Sequence, residues 1–183
     1  MAKVYDNVRV YGDLDSAVYV AAKGSTLPTD LAAPAAPFEE LGWLSEDGIN
    51  ENRAEDAQTF RAYQGGTIVR RKKTSVEDSI TFQCLEETAA VLGLRYAGQT
   101  PEVATGVATI HVTNQTKDDP RAFVIDVVDG DYTKRYAIPV GYVGSGTVAH
   151  SNSAMTIYEF TVTIQGDYDI ITDSPGVAGT PAV

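Results

Sequence analysis

Cysteine is almost missing: Cys84 is the only one in 183 residues, so no internal disulfide can form. Its place in an alternating apolar run reads as a small core hydrophobe. Histidine is nearly as scarce. His111 and His150 are the two, with neither HxxH nor HExxH spacing, which leaves no ligand set for zinc. His111 alternates with Thr109 and Thr113 and reads as a half-exposed polar residue on a strand. No window approaches the roughly 18 apolar residues of a spanning helix, and the N-terminus has no run of signal-peptide length. The expectation is a protein made in a cytoplasm, without membrane insertion. The sequon Asn114-Gln115-Thr116 then carries no meaning.

Positive charge is also short, with 14 Lys and Arg against 25 Asp and Glu, a net of −11 and a pI near 4.5. A far field of that sign repels nucleic acid and anionic lipid. Catalytic constellations are missing too. Gly65-Gly66, Gly144-Ser145-Gly146 and Gly176 lack the strand-to-helix context of a phosphate loop and read as turn glycines. Asp126, Asp129 and Asp131 resemble a fragment of a calcium loop, but the glycine and glutamate that such a loop needs are not at the required spacing, so a hairpin turn is the better reading. No Ser-His-Asp or Cys-His set can be assembled. The expectation is no enzyme, no cofactor and no metal.

What is present is β-forming sequence. Thr, Val, Tyr and Ile cluster in short runs separated by Gly, Asp, Asn and Pro. Strands are expected at Ala17–Ala22, Phe38–Leu44, Thr67–Arg71, Val76–Cys84, Val107–Thr113, Arg121–Val128, Asp131–Val140 and Ala154–Gln165. Ile80, Phe82 and Cys84 alternate with Thr81 and Gln83, and Tyr158, Phe160, Val162 and Ile164 with Glu159, Thr161, Thr163 and Gln165. The Asp129-Gly130 pair predicts a two-residue hairpin with Val127 opposite Tyr132, Ile125 opposite Lys134 and Phe123 opposite Tyr136. One helix is expected within "LEETAAVLGLRYAG", opened by Glu86 and Glu87, stopped by Gly93 or Gly98, with Ala89, Leu92 and Tyr96 on one face. The fold class is mainly β: an antiparallel sandwich or barrel flanked by one helix, as a single domain over 1–183. Its core runs from about 12 to 166, with an N-terminal arm (1–11), a long charged loop (45–62) and a C-terminal arm (167–183). The Pro/Ala-rich stretch 25–37 and the Gly/Pro tail 172–183 are expected to be mobile in an isolated monomer.

Charge is segregated along the chain. Between 39 and 60, Glu39, Glu40, Glu46, Asp47, Glu51, Glu55 and Asp56 stand against Arg53, a net of −6; between 61 and 73, Arg61, Arg70, Arg71, Lys72 and Lys73 give +5. A hairpin could pair the two segments within one molecule. Repeated around a symmetric ring, the same complementarity would set register between neighbouring molecules. These eleven residues (Glu46, Asp47, Glu51, Arg53, Glu55, Asp56, Arg61, Arg70, Arg71, Lys72, Lys73) are the candidate contacts between subunits.

The order of features resembles the major tail protein, the tail-tube subunit, of long-tailed bacteriophages. The likeness is carried by "LGWLSEDGINE", "RAYQGGTIVRRKKTS", "SITFQCLEETAAVLGLRYAG" and "RAFVIDVVDGDYTKRYAIP", and covers about 12–166. The stretch 25–37 and the tail after Asp167 match nothing in that pattern. The resemblance implies a virion protein, assembled in the host cytoplasm, whose hexameric rings stack into a tube and meet tape-measure, distal-tail and terminator proteins. Each subunit would lend about four strands to an inner barrel. Roughly 24 strands about 4.8 Å apart, tilted near 45°, leave a bore on the order of 40 Å, wider than duplex DNA. An acidic wall would keep the DNA from sticking as it passes. For the bore face, Ala154–Gln165 fits best, with Glu159, Thr161, Thr163 and Gln165 inward, and Asp126 and Thr133 are assigned from the neighbouring hairpin. The alternatives are another ring protein of the particle, such as a terminator or connector, the related type VI secretion tube protein, and a ligand-binding β-sandwich. The last would use Trp43 to stack on a sugar, though a lone Trp in "LGWL" is more often core.

Overall fold

The structure, a computed structural model, describes residues 4–113 and 118–179. Its strands in chain order are β1 (Ala17–Ala22), β2 (Glu39–Glu40), β3 (Asn50–Arg61), β4 (Ile68–Cys84), β5 (Glu102–Ala104), β6 (Val107–Thr109), β7 (Arg121–Asp129), β8 (Tyr132–Ser145), β9 (Tyr158–Ile164) and β10 (Asp169–Thr172). Helix α1 (Ala89–Arg95) follows β4, and a single turn, α2 (Pro175–Ala178), follows β10. The molecule is mainly β, as expected. All of its strand pairs are antiparallel, in one large sheet ordered β2-β1-β7-β8-β9-β4-β3, with β10 on β8 and a separate β5-β6 ribbon.

Alternation puts one side of this curved sheet into a common core. Val18, Val20, Ile80, Phe82, Cys84, Phe123, Ile125, Tyr136, Ile138, Tyr158, Phe160, Val162 and Ile164 meet there, and Leu41, Val91 and Leu94 close it. Phe82 and Phe160 pack with ring centroids 5.7 Å apart. β8 bends so that its first half pairs with β10 and its second with β9. Gly141 sits after the bend, where a Cβ would come within 2.5 Å of Val162 and 3.0 Å of Phe123, so the close crossing admits only glycine without displacement.

Several expectations change. The β7-β8 turn uses Gly130-Asp131 as its two-residue loop, with Gly130 at φ +59°, so Asp129 pairs with Tyr132. The register therefore moves by two residues: Val127 faces Lys134, Ile125 faces Tyr136 and Phe123 faces Ile138. The two strands expected at Thr67–Arg71 and Val76–Cys84 are one, β4. Phe38–Leu44 reduces to β2 and a lone bridge from Leu44 to Cys84, and Val107–Thr113 reduces to β6. Thr88 caps α1, its Oγ1 accepting from Val91 N at 3.2 Å, and Val91 and Leu94 are its buried residues rather than the Ala89 face. Glu86 and Glu87 precede the helix, where Glu86 Oε1 accepts from Trp43 N and Glu87 accepts from the Tyr158 hydroxyl.

The expected loop 45–62 contains β3. "NENRAEDAQTFR" has little strand propensity of its own, and what makes it extended is its partner: Asn50 through Arg61 pair with Thr81 back to Ile68 around the Gly65-Gly66 turn, both glycines at positive φ. The sequon at Asn114 lies outside the described residues.

Candidate functional site

Along β9 the expected alternation holds. Tyr158, Phe160, Val162 and Ile164 are buried, while Glu159, Thr161 and Thr163 are half-buried and Gln165 is exposed on the opposite side. Register extends that side into a patch: Gln83, Thr81 and Ser79 of β4 stand beside Glu159, Thr161 and Thr163, with Gly144 and Tyr142 of β8 on the other flank. The side chains bond to one another. Thr81 and Thr161 hydroxyls lie 3.1 Å apart, Gln83 Nε2 donates to Glu159 Oε2 at 3.2 Å, and the Tyr142 hydroxyl donates to Gln165 Oε1 at 3.1 Å. The result is a sheet face of hydroxyls and amides in which Glu159 is the one charge.

Asp126 and Thr133 lie on the same side of the sheet but are not part of that patch. Asp126 is buried, 6% exposed, and its carboxylate takes a two-point bond from Arg135, Nε to Oδ1 at 2.7 Å and Nη2 to Oδ2 at 2.6 Å. Arg135 Nη1 also donates to the carbonyls of Asp30 and Ala32. The Pro/Ala-rich stretch thus lies over this end of the sheet, and Asp126 is corrected from a bore residue to half of a buried ion pair. Thr133 is half-buried near this pair, and its backbone N donates to Asp173 Oδ1 at 2.8 Å.

The charged segments form a bare hairpin. Every residue of β3 is exposed, and so is β4 from Ile68 to Glu77. Part of the charge complementarity is satisfied inside the chain. Lys73 Nζ lies 2.6 Å from Glu55 Oε1, and Arg53 bridges Glu55 and Asp78 at 3.2 Å each. The hydrogen bond from Lys73, then that from Arg53, holds the Glu55 carboxyl below its ordinary value. Asp56 accepts from the Ser75 hydroxyl, Arg61 Nη1 donates to Gly66 O, and at the root Glu51 accepts from the Tyr136 hydroxyl at 2.7 Å. Burial and that bond to Glu51 push the Tyr136 hydroxyl well up. Glu46 and Asp47 sit in the turn before β3, apart from the basic run. Arg70, Arg71 and Lys72 have no ion-pair partner among the described residues.

Arg9 is a further residue that no sequence pattern marks. Its guanidinium stacks 4.1 Å from the Tyr132 ring centroid, lies 3.8 Å from Asp129 and donates to Ser174 Oγ at 3.4 Å. It joins the N-terminal arm to the start of the tail, so residues 4–11 and 172–179 have contacts within the chain. Trp43, expected in the core, is 62% exposed. Among the described residues, no group of three or more His, Cys, Asp and Glu side chains could hold a metal, and no helix is long and apolar enough to cross a membrane.

Comparison with solved structures finds similarity to a chain from the virion of a native gene transfer agent particle, 12% identical, covering 86% of this chain and 95% of that one, with a TM-score of 0.43. No curated protein matches. A family model described as phage tail tube protein matches residues 1–168, nearly the whole length. The chain therefore belongs to the phage tail tube protein family, a family of structural virion proteins.

Proposed function

We propose that copies of this chain close into rings, six to a ring by the resemblance, and that the rings stack into a tube through which DNA passes. The observation that carries this reading is the β3-β4 hairpin. A two-stranded ribbon with no third strand and no apolar face is marginal in water, yet beyond the pairing of β4 with β9, residues 53–61 and 68–78 are committed to it. Phe60, Ile68, Val69 and Val76 stand 41–64% exposed along it, and Tyr63 is fully exposed at its tip. Such a ribbon gains its stability from a neighbouring copy, which would bury those side chains and engage the cations left free.

The patch around Thr81, Thr161 and Thr163 suits the wall of a bore. Hydroxyls and amides offer a DNA phosphate no fixed cation to hold it, and Glu159 repels it. The protein would serve passage by failing to bind. Tape-measure, distal-tail and terminator proteins are the partners such a tube would require at its lumen and ends. Electron microscopy of concentrated purified protein is the test: hollow tubes with a bore wide enough for duplex DNA are expected, and a protein that stays monomeric at every concentration would overturn the reading.

A further inference from the structure

The turns that flank β1 and β2 enclose a cleft of about 450 Å³ beside the root of the hairpin. Three apolar side chains line it and are left uncovered: Tyr11, Leu14 and Trp43, exposed at 41%, 79% and 62%. Carboxylates of Glu40, Glu46 and Glu86 rim it. Glu86 accepts from Trp43 N at 2.9 Å and so fixes the segment after β2 that presents the indole. Glu40 and Glu46 are exposed and have no ion-pair partner among the described residues.

The chain also carries the complement of this cleft. Arg71 and Lys73 share one side of the ribbon with Glu55, whose carboxylate meets Lys73, and with their cross-strand partners Thr59 and Ala57. Alternation places Arg70 and Lys72 on the other side, next to their cross-strand partners Phe60 and Gln58. That side also carries Asp56, which accepts from the Ser75 hydroxyl, while Phe60 is exposed and neither cation has an ion-pair partner among the described residues. This side cannot reach the cleft of its own chain. The cleft ends at Gly48, two residues before β3 begins, whereas Arg70 pairs with Phe60, ten residues further along, about 33 Å away at 3.3 Å per residue.

We propose that the Tyr11/Trp43 cleft receives the Arg70–Lys72 side of the hairpin from a second copy of this chain, with the Arg70 guanidinium over the Trp43 indole and the two cations against Glu40 and Glu46. This rests on the self-assembly reading above. A planar guanidinium suits both an aromatic face and a carboxylate. The contact joins the far end of one hairpin to the root of the next, so it is head-to-tail: it does not close between two copies but repeats, and each repeat advances by a distance on the order of the hairpin's length.

The test uses the full chain, with assembly followed by sedimentation against concentration. Arg70→Glu with Lys72→Glu, and separately Glu40→Arg with Glu46→Arg, should each raise the concentration needed for assembly about tenfold or more, which corresponds to about 1.4 kcal/mol. All four changes in one chain should restore it. Because Cys84 is buried and its thiol is pushed up to about 12 by burial, a Glu46→Cys, Arg70→Cys variant offers two reactive thiols, and mild oxidation of its assembled form should give a ladder of disulfide-linked multimers. The same thermal midpoint for all monomers separates lost contact from lost fold. If the unaltered chain never assembles, the reading under Proposed function fails. If it assembles, but both charge reversals assemble at an unchanged concentration and the cysteine variant gives no ladder, this inference alone fails.

Discussion

Arg135 and Asp126 face each other across β7 and β8 as directly paired residues, and their side chains meet at 2.6 and 2.7 Å with both residues buried. Two oxygens meet two nitrogens, and the remaining Arg135 nitrogen holds the Asp30 and Ala32 carbonyls. The pair is thus both an internal ion pair and the fastening of the Pro/Ala-rich stretch. Asp126→Ala leaves a buried guanidinium unpaired and should destabilise the monomer by about 3–5 kcal/mol in urea denaturation. Replacing both, with Asp126→Leu and Arg135→Met, should cost far less while still releasing the stretch. Hydrogen exchange at 25–37 should quicken in both variants, and unchanged exchange there would show that something else holds it.

The hairpin should be dispensable for folding and necessary for assembly. Arg53 and Asp78 are cross-strand partners, so deleting 54–77 and joining them with an Asn-Gly dipeptide preserves the root. No core residue is removed. Monomer stability is expected to stay within about 1 kcal/mol by chemical denaturation. Tubes from the shortened chain in micrographs would contradict the role given to the hairpin.

Glu159→Lys places a cation at the only charged position of the polar patch. Tubes should still form, since Glu159 bonds to Gln83 of its own chain and lies outside the charged hairpin. Particles carrying the variant should eject DNA more slowly at low salt, with the defect easing as salt screens the new attraction. In a sixfold ring each layer would change by about twelve charges, two per subunit. Ejection at the normal rate in low salt would place Glu159 outside the bore.

Tyr136 and Tyr158 are buried and donate to Glu51 and Glu87, and burial first, then those bonds, raises both hydroxyls, Tyr158 to about 12. In the unfolded chain they ionise near 10. Above that pH the unfolded state has released protons that the folded state keeps, so stability should fall as pH rises from about 10 to 12. Urea midpoints measured across this range should show a shallower fall in Tyr158→Phe. An identical slope would mean that Tyr158 does not contribute.

The alternating faces of β4 and β9 and the position of helix α1 were legible because each depends on short-range periodicity that the sequence states directly. The β7-β8 turn shows how far this goes. Asp-Gly announced a hairpin, but which two residues formed the loop depended on Gly130 taking the left-handed conformation and on Asp129 being held by Arg9 and Val10 N, the latter two more than a hundred positions away.

By itself, the sequence determined the mainly antiparallel class, the segregation of charge into 39–60 and 61–73, and the polar face of β9, since composition and a period of two are local properties. Tertiary structure alone decided that the acidic stretch is a strand, that Asp126 is buried against Arg135, and that Trp43 stands exposed above a cleft. In each case the deciding partner is remote in sequence. β3 is extended because β4 offers it hydrogen bonds, Asp126 is covered because residues 30–32 cross over it, and Trp43 faces outward because Leu41, not the indole, fills the core at that edge. A side chain's period says which face it shares, and only the packed fold says what lies over that face.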